Sequence, residues 1–145
     1  MSDIDYMKIA LKEAEEAFIE GEVPVGAIIV SNGQIIACTH NLTQTLNDVT
    51  AHAEIQAITA AADFLGNKYL TECALYVTLE PCIMCAGAIA WSQMGRLIYG
   101  APDPRKGFTM LSENILHKKT KVTSALLAAE SIVLLKNFFK EKRDL

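Results

Sequence analysis

Apolar residues recur every three or four positions from Ile4 to Phe18, and charged residues fill the positions between them. This spacing is typical of an amphipathic helix that places one face on a core. Ser2 or Asp3 is suited to cap the start of the helix, and Gly21 marks its end. The pattern therefore predicts that the chain begins with a helix packed against the rest of the fold.

Two short apolar runs rich in β-branched residues follow, over 27–30 and 35–39, with Ser31-Asn32-Gly33 between them. Asn-Gly between two such runs favours a tight hairpin turn. We therefore expect two neighbouring antiparallel strands.

Beyond a polar loop over 40–50, helical and strand patterns alternate. They predict a helix over 51–65, a strand over 74–79, a helix over 82–91, a strand over 96–101, a short helix near Leu111, a weak strand over 121–124 and a closing helix over 126–142. Such alternation indicates an α/β protein whose later strands are parallel. A chain of 145 residues is long enough for one domain with its own core, so we expect a single domain over 1–145.

Composition narrows the class of protein. Hydrophobic residues make up 51% of the chain, which is typical of a folded protein, yet no apolar run is long enough to span a bilayer. The acidic start, Met1-Ser2-Asp3-Ile4-Asp5, does not resemble a secretory signal. We expect a cytoplasmic protein with no membrane partner, in which the four cysteines are thiols or metal ligands and not disulfides.

The net charge of −4 disfavours nucleic acid as a partner when it is considered alone. The basic residues, however, are concentrated in two places, a loop after Gly100 and the closing helix. They are Arg105, Lys106, Lys136, Lys140, Lys142 and Arg143. Two interpretations stay open at this point: solvated helix faces, or a surface that contacts nucleic acid.

The strongest chemical signal comes from four residues at the starts of two predicted helices. His52 and Glu54 begin the helix over 51–65, and Cys82 and Cys85 begin the helix over 82–91. One imidazole and two thiolates can hold Zn²⁺ and leave a fourth position open, and a helix start favours the thiolate form. His-x-Glu followed by Pro-Cys-x-x-Cys is the signature of zinc-dependent deaminases. We predict one catalytic zinc ion per subunit.

A closed structural zinc site is the alternative, with Cys38, Cys73 or His40 as a fourth ligand. It would leave Glu54 without a function. Cys38 and Cys73 are also explained more simply as buried core residues, because free cysteines are often buried.

The mechanism expected of an open site assigns the proton transfers to Glu54. Zinc brings the pKa of bound water close to neutral. On an ideal helix Glu54 lies about 200° around from His52, so we expect it to act near the metal without binding it. It would take a proton from the attacking water, give it to the ring nitrogen and protonate the departing ammonia. The amide of Ala53 is expected to face the new oxygen.

Longer segments of the chain resemble one family. They are Glu22-Val23-Pro24-Val25-Gly26-Ala27, Ala51-His52-Ala53-Glu54-Ile55 and the run from Leu75 to Ala88 that contains Thr-Leu-Glu-Pro-Cys-Ile-Met-Cys-Ala-Gly. These segments resemble the bacterial tRNA-specific adenosine deaminases. The resemblance implies a cytidine-deaminase-like fold, a three-layer α/β/α sandwich with a mixed five-stranded sheet flanked by helices. It also implies a homodimer that converts adenosine to inosine at the wobble position (34) of a tRNA anticodon, with tRNA-Arg(ACG) as the substrate.

The same resemblance implies roles for individual residues. The zinc ligands fall on His52, Cys82 and Cys85, the proton shuttle falls on Glu54, and an amide contact to the flipped base falls on Asn41. Contacts to the anticodon stem-loop fall on two further groups, the loop residues Asp103, Arg105 and Lys106 and the closing-helix residues Phe138, Phe139, Lys140 and Arg143. Structural roles stay open for several of them: Asn41 and Asp103 suit turns, and the two phenylalanines suit a core.

Two rival functions remain at the level of sequence. A guanine or cytosine base deaminase, or a nucleoside deaminase, would share the zinc motif, but those base deaminases commonly carry Cys-Glu-Pro-Cys-Pro-Met-Cys, which Leu79 and Ile83 do not match. A non-catalytic zinc-binding scaffold subunit would be expected to lack the glutamate that stands here at Glu54. The loop over 108–120 is also shorter than is usual for the family, which affects the expected contacts to tRNA.

Overall fold

A computed structural model describes residues 1–143. Its elements are α1 (Asp3–Ile19), β1 (Gly26–Ser31), β2 (Gln34–His40), α2 (Ala53–Leu65), β3 (Cys73–Leu79), α3 (Ile83–Ser92), β4 (Arg96–Ala101), a 3₁₀ turn (Phe108–Met110), β5 (Lys121–Thr123) and α4 (Ala128–Arg143). The predicted elements are all present, with shifted ends. The closing helix begins two residues later than predicted because Ala125 and Leu127 adopt positive φ angles of 61° and 54°.

Local chemistry explains where the first elements begin. The Ser2 hydroxyl accepts a hydrogen bond from the Asp5 amide at 3.3 Å, and the Asp5 carboxylate accepts one from the Ser2 amide at 2.9 Å, so the two residues form a capping box. Asn32 and Gly33 both have positive φ angles, 50° and 73°, as a tight turn between two strands requires. Ser2 is therefore the cap of α1, and the predicted hairpin is confirmed.

The five strands form one mixed sheet in the order β2-β1-β3-β4-β5. β1 is antiparallel to β2 and β3, whereas β3, β4 and β5 are parallel. As a result, the carboxyl ends of β2, β3 and β4 meet the start of β1 at one edge of the sheet. Open α/β sheets place their binding sites at such edges.

Helices cover both faces of the sheet, which confirms the predicted three layers. On one face the alanines of α2 and the residues Ala86 and Ile89 of α3 pack on the sheet in the larger core. On the other face α1 packs on β1, and α4 lies beside it. α1 can approach β1 closely because Gly26 has no side chain: a Cβ there would lie 2.6 Å from the amide nitrogen of Ala14. No helix within residues 1–143 is both long and apolar enough to cross a membrane.

Candidate active site

The side chains of His52, Cys82 and Cys85 form a compact cluster at this sheet edge. Nδ1 of His52 lies 3.6 Å from Sγ of Cys82 and 3.4 Å from Sγ of Cys85, and the three ligand atoms all lie within 4.8 Å of one another. Tetrahedral zinc, with bonds of about 2.3 Å to sulfur and about 2.0 Å to nitrogen, holds neighbouring ligand atoms roughly 3.5–3.8 Å apart. The cluster therefore has the donor set and the size that zinc requires.

His52 and Cys82 are the N-cap residues of α2 and α3, one position outside each helix. Both have extended backbones, and neither side chain forms a capping hydrogen bond. The sequence prediction placed both residues inside their helices, and the difference matters because a cap side chain is free to turn away from its helix. The positive ends of the two helix dipoles also meet at the cluster, which favours thiolates there.

The thiol pKa values of the two cysteines are shifted in opposite directions. A hydrogen bond from the Cys85 thiol, followed by that from His52, lowers the pKa of Cys82 to about 4. The same hydrogen bond and burial raise the pKa of Cys85, while the hydrogen bond to Cys82 raises the pKa of His52. A divalent cation would release the proton held on Cys85, because metals bind the thiolate form.

Glu54 lies beside the cluster and outside the three-residue ligand group. Its side chain is almost fully buried against the Cys85 thiol, and burial raises the pKa of its carboxyl to about 7. The ideal-helix angle expected between His52 and Glu54 does not apply, because His52 lies before the helix and has an extended backbone. Glu54 can therefore exchange protons near neutral pH at a position next to the cluster.

A cavity of about 450 Å³ opens above the cluster. Eight of the residues predicted for the site line it: Asn41, His52, Ala53, Glu54, Cys82, Asp103, Lys106 and Phe139. The volume is within the range of small-molecule binding pockets. The structure therefore brings five separate loops and helix segments of the chain together around one cavity.

Comparisons with known proteins agree with this geometry. The family model of MafB19-like deaminases matches residues 1–143. The tRNA-specific adenosine deaminase of Agrobacterium fabrum is 46% identical over 143 residues, which cover 95% of this chain and 94% of that protein. This chain belongs to the tRNA-specific adenosine deaminase family.

Solved structures of related deaminases also support the assignment of this hydrolytic deaminase to the family. One comes from a study of A-to-I editing by tRNA:A34 deaminases at the wobble position of transfer RNA; it is 45% identical, covers 90% of this chain and 99% of its own, and has a TM-score of 0.85. A guanine deaminase from Bacillus subtilis is 42% identical but covers only 70% of this chain and 66% of its own, with a TM-score of 0.68. The predicted cytidine-deaminase-like fold is confirmed.

The residues considered as a fourth ligand lie elsewhere in the deaminase fold. Cys73 is buried at the start of β3, about 20 Å along the strand from the cluster. Cys38 is exposed on the edge strand β2, so the prediction that it is a core residue is wrong. His40 is held by Glu13 at 3.1 Å and Glu20 at 2.7 Å. Among the described residues, the metal-ligand cluster consists of three side chains, as an open catalytic site requires.

Several basic residues of the deaminase line a groove that continues from the cavity. Arg105, Lys140 and Arg143 line this groove, and Phe139 lines both the groove and the cavity. Arg105 and Lys106 are held in a turn, in which their amides donate to Oδ1 of Asp103 at 3.1 Å each. Asp103 therefore closes a turn and also lines the cavity, so the two alternatives for this residue were not exclusive.

The structure places Phe138 in the core and not on the predicted RNA-contacting surface. It is buried, and its ring packs edge-on against Phe18 of α1 with the ring centroids 6.1 Å apart. The apolar face of α4 that meets α1 includes Phe138, whereas the next residue points about 100° further around the helix. Of the two adjacent rings, only Phe139 is positioned to contact a substrate.

Sequence reasoning missed seven residues that line the cavity. They are Val23, Val25, Thr43, Leu79, Glu80, Pro102 and Leu135. Part of the signal was present, because an acidic residue inside an otherwise apolar segment, such as Glu80 in Thr-Leu-Glu-Pro, needs a specific partner when it is buried.

Proposed function

We propose that this enzyme deaminates adenosine to inosine at the wobble position (34) of a tRNA anticodon, with tRNA-Arg(ACG) as its substrate and with one domain that spans 1–145. The observation that carries the proposal is the position of Glu54 and the ligand cluster inside a cavity that opens onto a basic groove. This arrangement suits a single base that enters the cavity while the neighbouring nucleotides remain outside. The functions named for the relatives support it.

Zinc is the proposed metal, held by His52, Cys82 and Cys85. Two sulfur donors and one imidazole, at the separations found here, suit zinc better than magnesium or calcium, which prefer oxygen. When bound, zinc lowers the pKa of a coordinated water and acts as a Lewis acid.

Glu54 is the proposed proton shuttle. Its carboxylate accepts a proton from the attacking water and delivers that proton to N1 of the adenine ring. The C6–oxygen bond forms; the carboxylate then takes the remaining proton from the new C6 hydroxyl and gives it to the amino group, so that the C6–nitrogen bond breaks, ammonia leaves and the C6 carbonyl of inosine remains in the RNA. A carboxyl with a pKa of about 7 can perform both transfers at neutral pH.

Asn41 and Ala53 are proposed to orient the base. Oδ1 of Asn41 accepts a hydrogen bond from the Thr43 amide at 3.3 Å, while its Nδ2 donates no hydrogen bond within residues 1–143 and so remains free for an acceptor on the base. Ala53 is the first residue of α2 and lines the cavity, and amides of a first helical turn lack an intrahelical acceptor.

The groove is proposed to bind the RNA around the flipped base. Phe139 offers a face on which a neighbouring base can stack, and Arg105, Lys140 and Arg143 offer charges to the phosphates. Asp103 and Lys106 lie where the cavity meets the loop over 102–107 and would contact the anticodon nucleotides. A local basic surface of this kind reconciles the acidic chain with a polyanionic substrate.

A homodimer is proposed from the outer face of α3. Ile83, Met84 and Trp91 are exposed on this helix, and Trp91 is 85% exposed. A contiguous apolar face of this type on a helix is typical of an interface between protein copies. We expect Trp91→Glu to produce monomers in light scattering, whereas Trp91→Phe should remain a dimer; a monomeric wild type would contradict the proposal.

A substrate panel tests the proposed reaction. Ammonia release and inosine formation are measured on an arginine tRNA anticodon stem-loop that begins its anticodon with A, beside free adenosine, cytidine, cytosine and guanine. We expect turnover on the stem-loop alone, in the presence of one zinc ion per subunit by elemental analysis. Turnover only on a free base or nucleoside would assign the chain to base or nucleoside salvage and overturn the tRNA assignment. Because the proposed substrate is tRNA, we also expect the enzyme in the cytoplasm.

A further inference from the structure

Two buried glutamates, Glu22 and Glu80, are not explained by the reaction. Their residues are 0% and 3% exposed, and neither forms a salt bridge with a cation within residues 1–143. A buried carboxylate without a cation is costly unless hydrogen bonds satisfy it. Each carboxylate must therefore be held by donors from the surrounding chain.

The donors follow the same pattern at both sites. Glu22 accepts hydrogen bonds from the Gln44 amide at 3.0 Å, the Thr45 amide at 2.7 Å and the Thr45 hydroxyl at 2.7 Å. Glu80 accepts hydrogen bonds from the Asp103 amide at 3.0 Å, the Thr109 amide at 2.9 Å and the Thr109 hydroxyl at 2.8 Å. In both cases two backbone amides and one threonine hydroxyl of a distant loop converge on a single carboxylate.

The two loops held in this way are the ones that flank the cavity. The loop bound by Glu22 begins with Asn41 and Thr43, which line the cavity, and the loop bound by Glu80 carries Asp103 and Lys106, which line it as well. Neither loop contains a regular strand or α-helix over these residues. The position of the lining side chains therefore depends on what fixes the loop backbone.

The second loop closes directly onto its glutamate. A Cβ at Gly107 would clash with the Glu80 carboxylate and would lie 2.6 Å from the Asp103 carbonyl oxygen. Gly107 also pairs with Cys82 in an isolated bridge, and the Phe108 amide donates to the Pro81 carbonyl at 2.9 Å. The loop is thus fixed at the same point of the chain as the metal-ligand cluster.

We infer that Glu22 and Glu80 are positioning residues, each of which sets the substrate contacts of one loop: Glu22 acts through Asn41, and Glu80 acts through Asp103 and Lys106. The inference rests on the proposed function, since it assigns these loops to the RNA. Charged hydrogen bonds of this kind are short and directional, so they can hold a loop to the accuracy that catalysis needs.

The first test does not depend on a substrate. Glu22→Gln and Glu80→Gln each replace one carboxylate oxygen by an NH2 group. Because this group cannot accept a hydrogen bond from the loop amide or hydroxyl that faces it, at least one hydrogen bond is lost. NMR-detected hydrogen exchange of the zinc-loaded protein should show faster exchange of the Gln44 and Thr45 amides in the first variant only. The Asp103 and Thr109 amides should exchange faster in the second variant only. Unchanged exchange in both loops would overturn the inference.

The second test is a double-mutant cycle on kcat/KM for the stem-loop. We expect Glu22→Gln to lower kcat/KM about 10- to 100-fold with zinc content unchanged. Glu22→Gln should add little to Asn41→Ala, and Glu80→Gln should add little to Asp103→Ala, whereas the crossed pairs should be multiplicative. Equal additivity in all pairs would show that the glutamates act only on overall stability and would overturn the inference.

Matched variants keep both tests interpretable. Tyr76→Phe also removes a hydrogen bond, the part-buried 2.6 Å bond that the Tyr76 hydroxyl donates to Asp3. This bond lies on the face of the sheet covered by α1, so the variant should leave both loops and kcat/KM unchanged. Thr45→Val and Thr109→Val each remove only one hydroxyl donor. They serve as substitutes in both tests if a glutamate variant does not fold. If the wild type deaminates only free guanine, the proposed RNA substrate is wrong, while the exchange data and the same cycle on guanine still decide the inference.

Discussion

Phe138 and Phe139 are neighbours on α4 with different surroundings, and alanine at each position should give opposite results. Phe138 is 6% exposed, and its ring contacts Phe18 and lies under the Lys142 ammonium, 5.4 Å from the ring centroid. Truncation of a buried phenylalanine costs about 3–5 kcal/mol. For a chain of this length that corresponds to roughly 6–20 °C in Tm.

Phe139 is 44% exposed, so about half of its apolar surface is already in water. Its truncation should lower the free energy of unfolding by about 1.5 kcal/mol or less. In the proposed complex, however, it loses a stacked base, which is worth about 1–3 kcal/mol. That energy corresponds to about 5- to 150-fold in kcat/KM for the stem-loop.

The assay combines urea unfolding of both variants with kcat/KM measured at a temperature where both are folded. We expect Phe138→Ala to lose stability with nearly normal kcat/KM, and Phe139→Ala to lose kcat/KM with nearly normal stability. A Phe138→Ala variant that is stable but binds the stem-loop weakly would refute the assignment of Phe138 to the core. Equal stability losses would refute the burial argument for the pair.

Three further predictions concern the cluster, the shuttle and a histidine outside the site. Cys82→Ala or His52→Ala should lose bound zinc and activity together, as measured by elemental analysis; full zinc content in either variant would disprove the ligand assignment. Glu54→Gln should retain zinc but lower kcat about 10²- to 10⁴-fold, and unchanged turnover would show that Glu54 is not the proton shuttle. Burial lowers the pKa of His40, but the hydrogen bonds that its ring donates to the Glu13 and Glu20 carboxylates outweigh it and raise the pKa above its ordinary 6.5. The stability gained from His40 should therefore be complete below about pH 6.5 and disappear as the pH rises through the raised pKa, so that His40→Gln costs roughly 0.5–1 kcal/mol in urea unfolding at low pH and less at high pH.

The parts of the molecule that depend on short spacings were predicted from sequence. The helix of α1, the Asn32-Gly33 turn and the Cys82–Cys85 pair are each determined within a few residues, so periodicity and turn chemistry were sufficient. The prediction that His52 meets Cys82, 30 residues away, rested on a recognised sequence signature and not on geometry.

The parts that depend on packing between distant segments were not predictable in the same way. Whether Phe138 or Phe139 faces inward depends on where α1 lies beside α4, which the pattern of α4 alone does not contain. The hydrogen bonds that the two loops donate to Glu22 and Glu80 join residues 22–29 positions apart along the chain. Cys38 alternates correctly for a strand, yet it is exposed because β2 lies at the edge of the sheet.

The two sides of α3 have a joint consequence. Its start carries the cysteines of the metal cluster, and its outer face carries the exposed Trp91 on which a second copy is proposed to pack. If both events order the same helix, each must strengthen the other by the same factor, as thermodynamic linkage requires. Retention of the metal would then depend on the concentration of the protein itself, and a dilute sample would lose both its partner subunit and its cation over the same range of concentration.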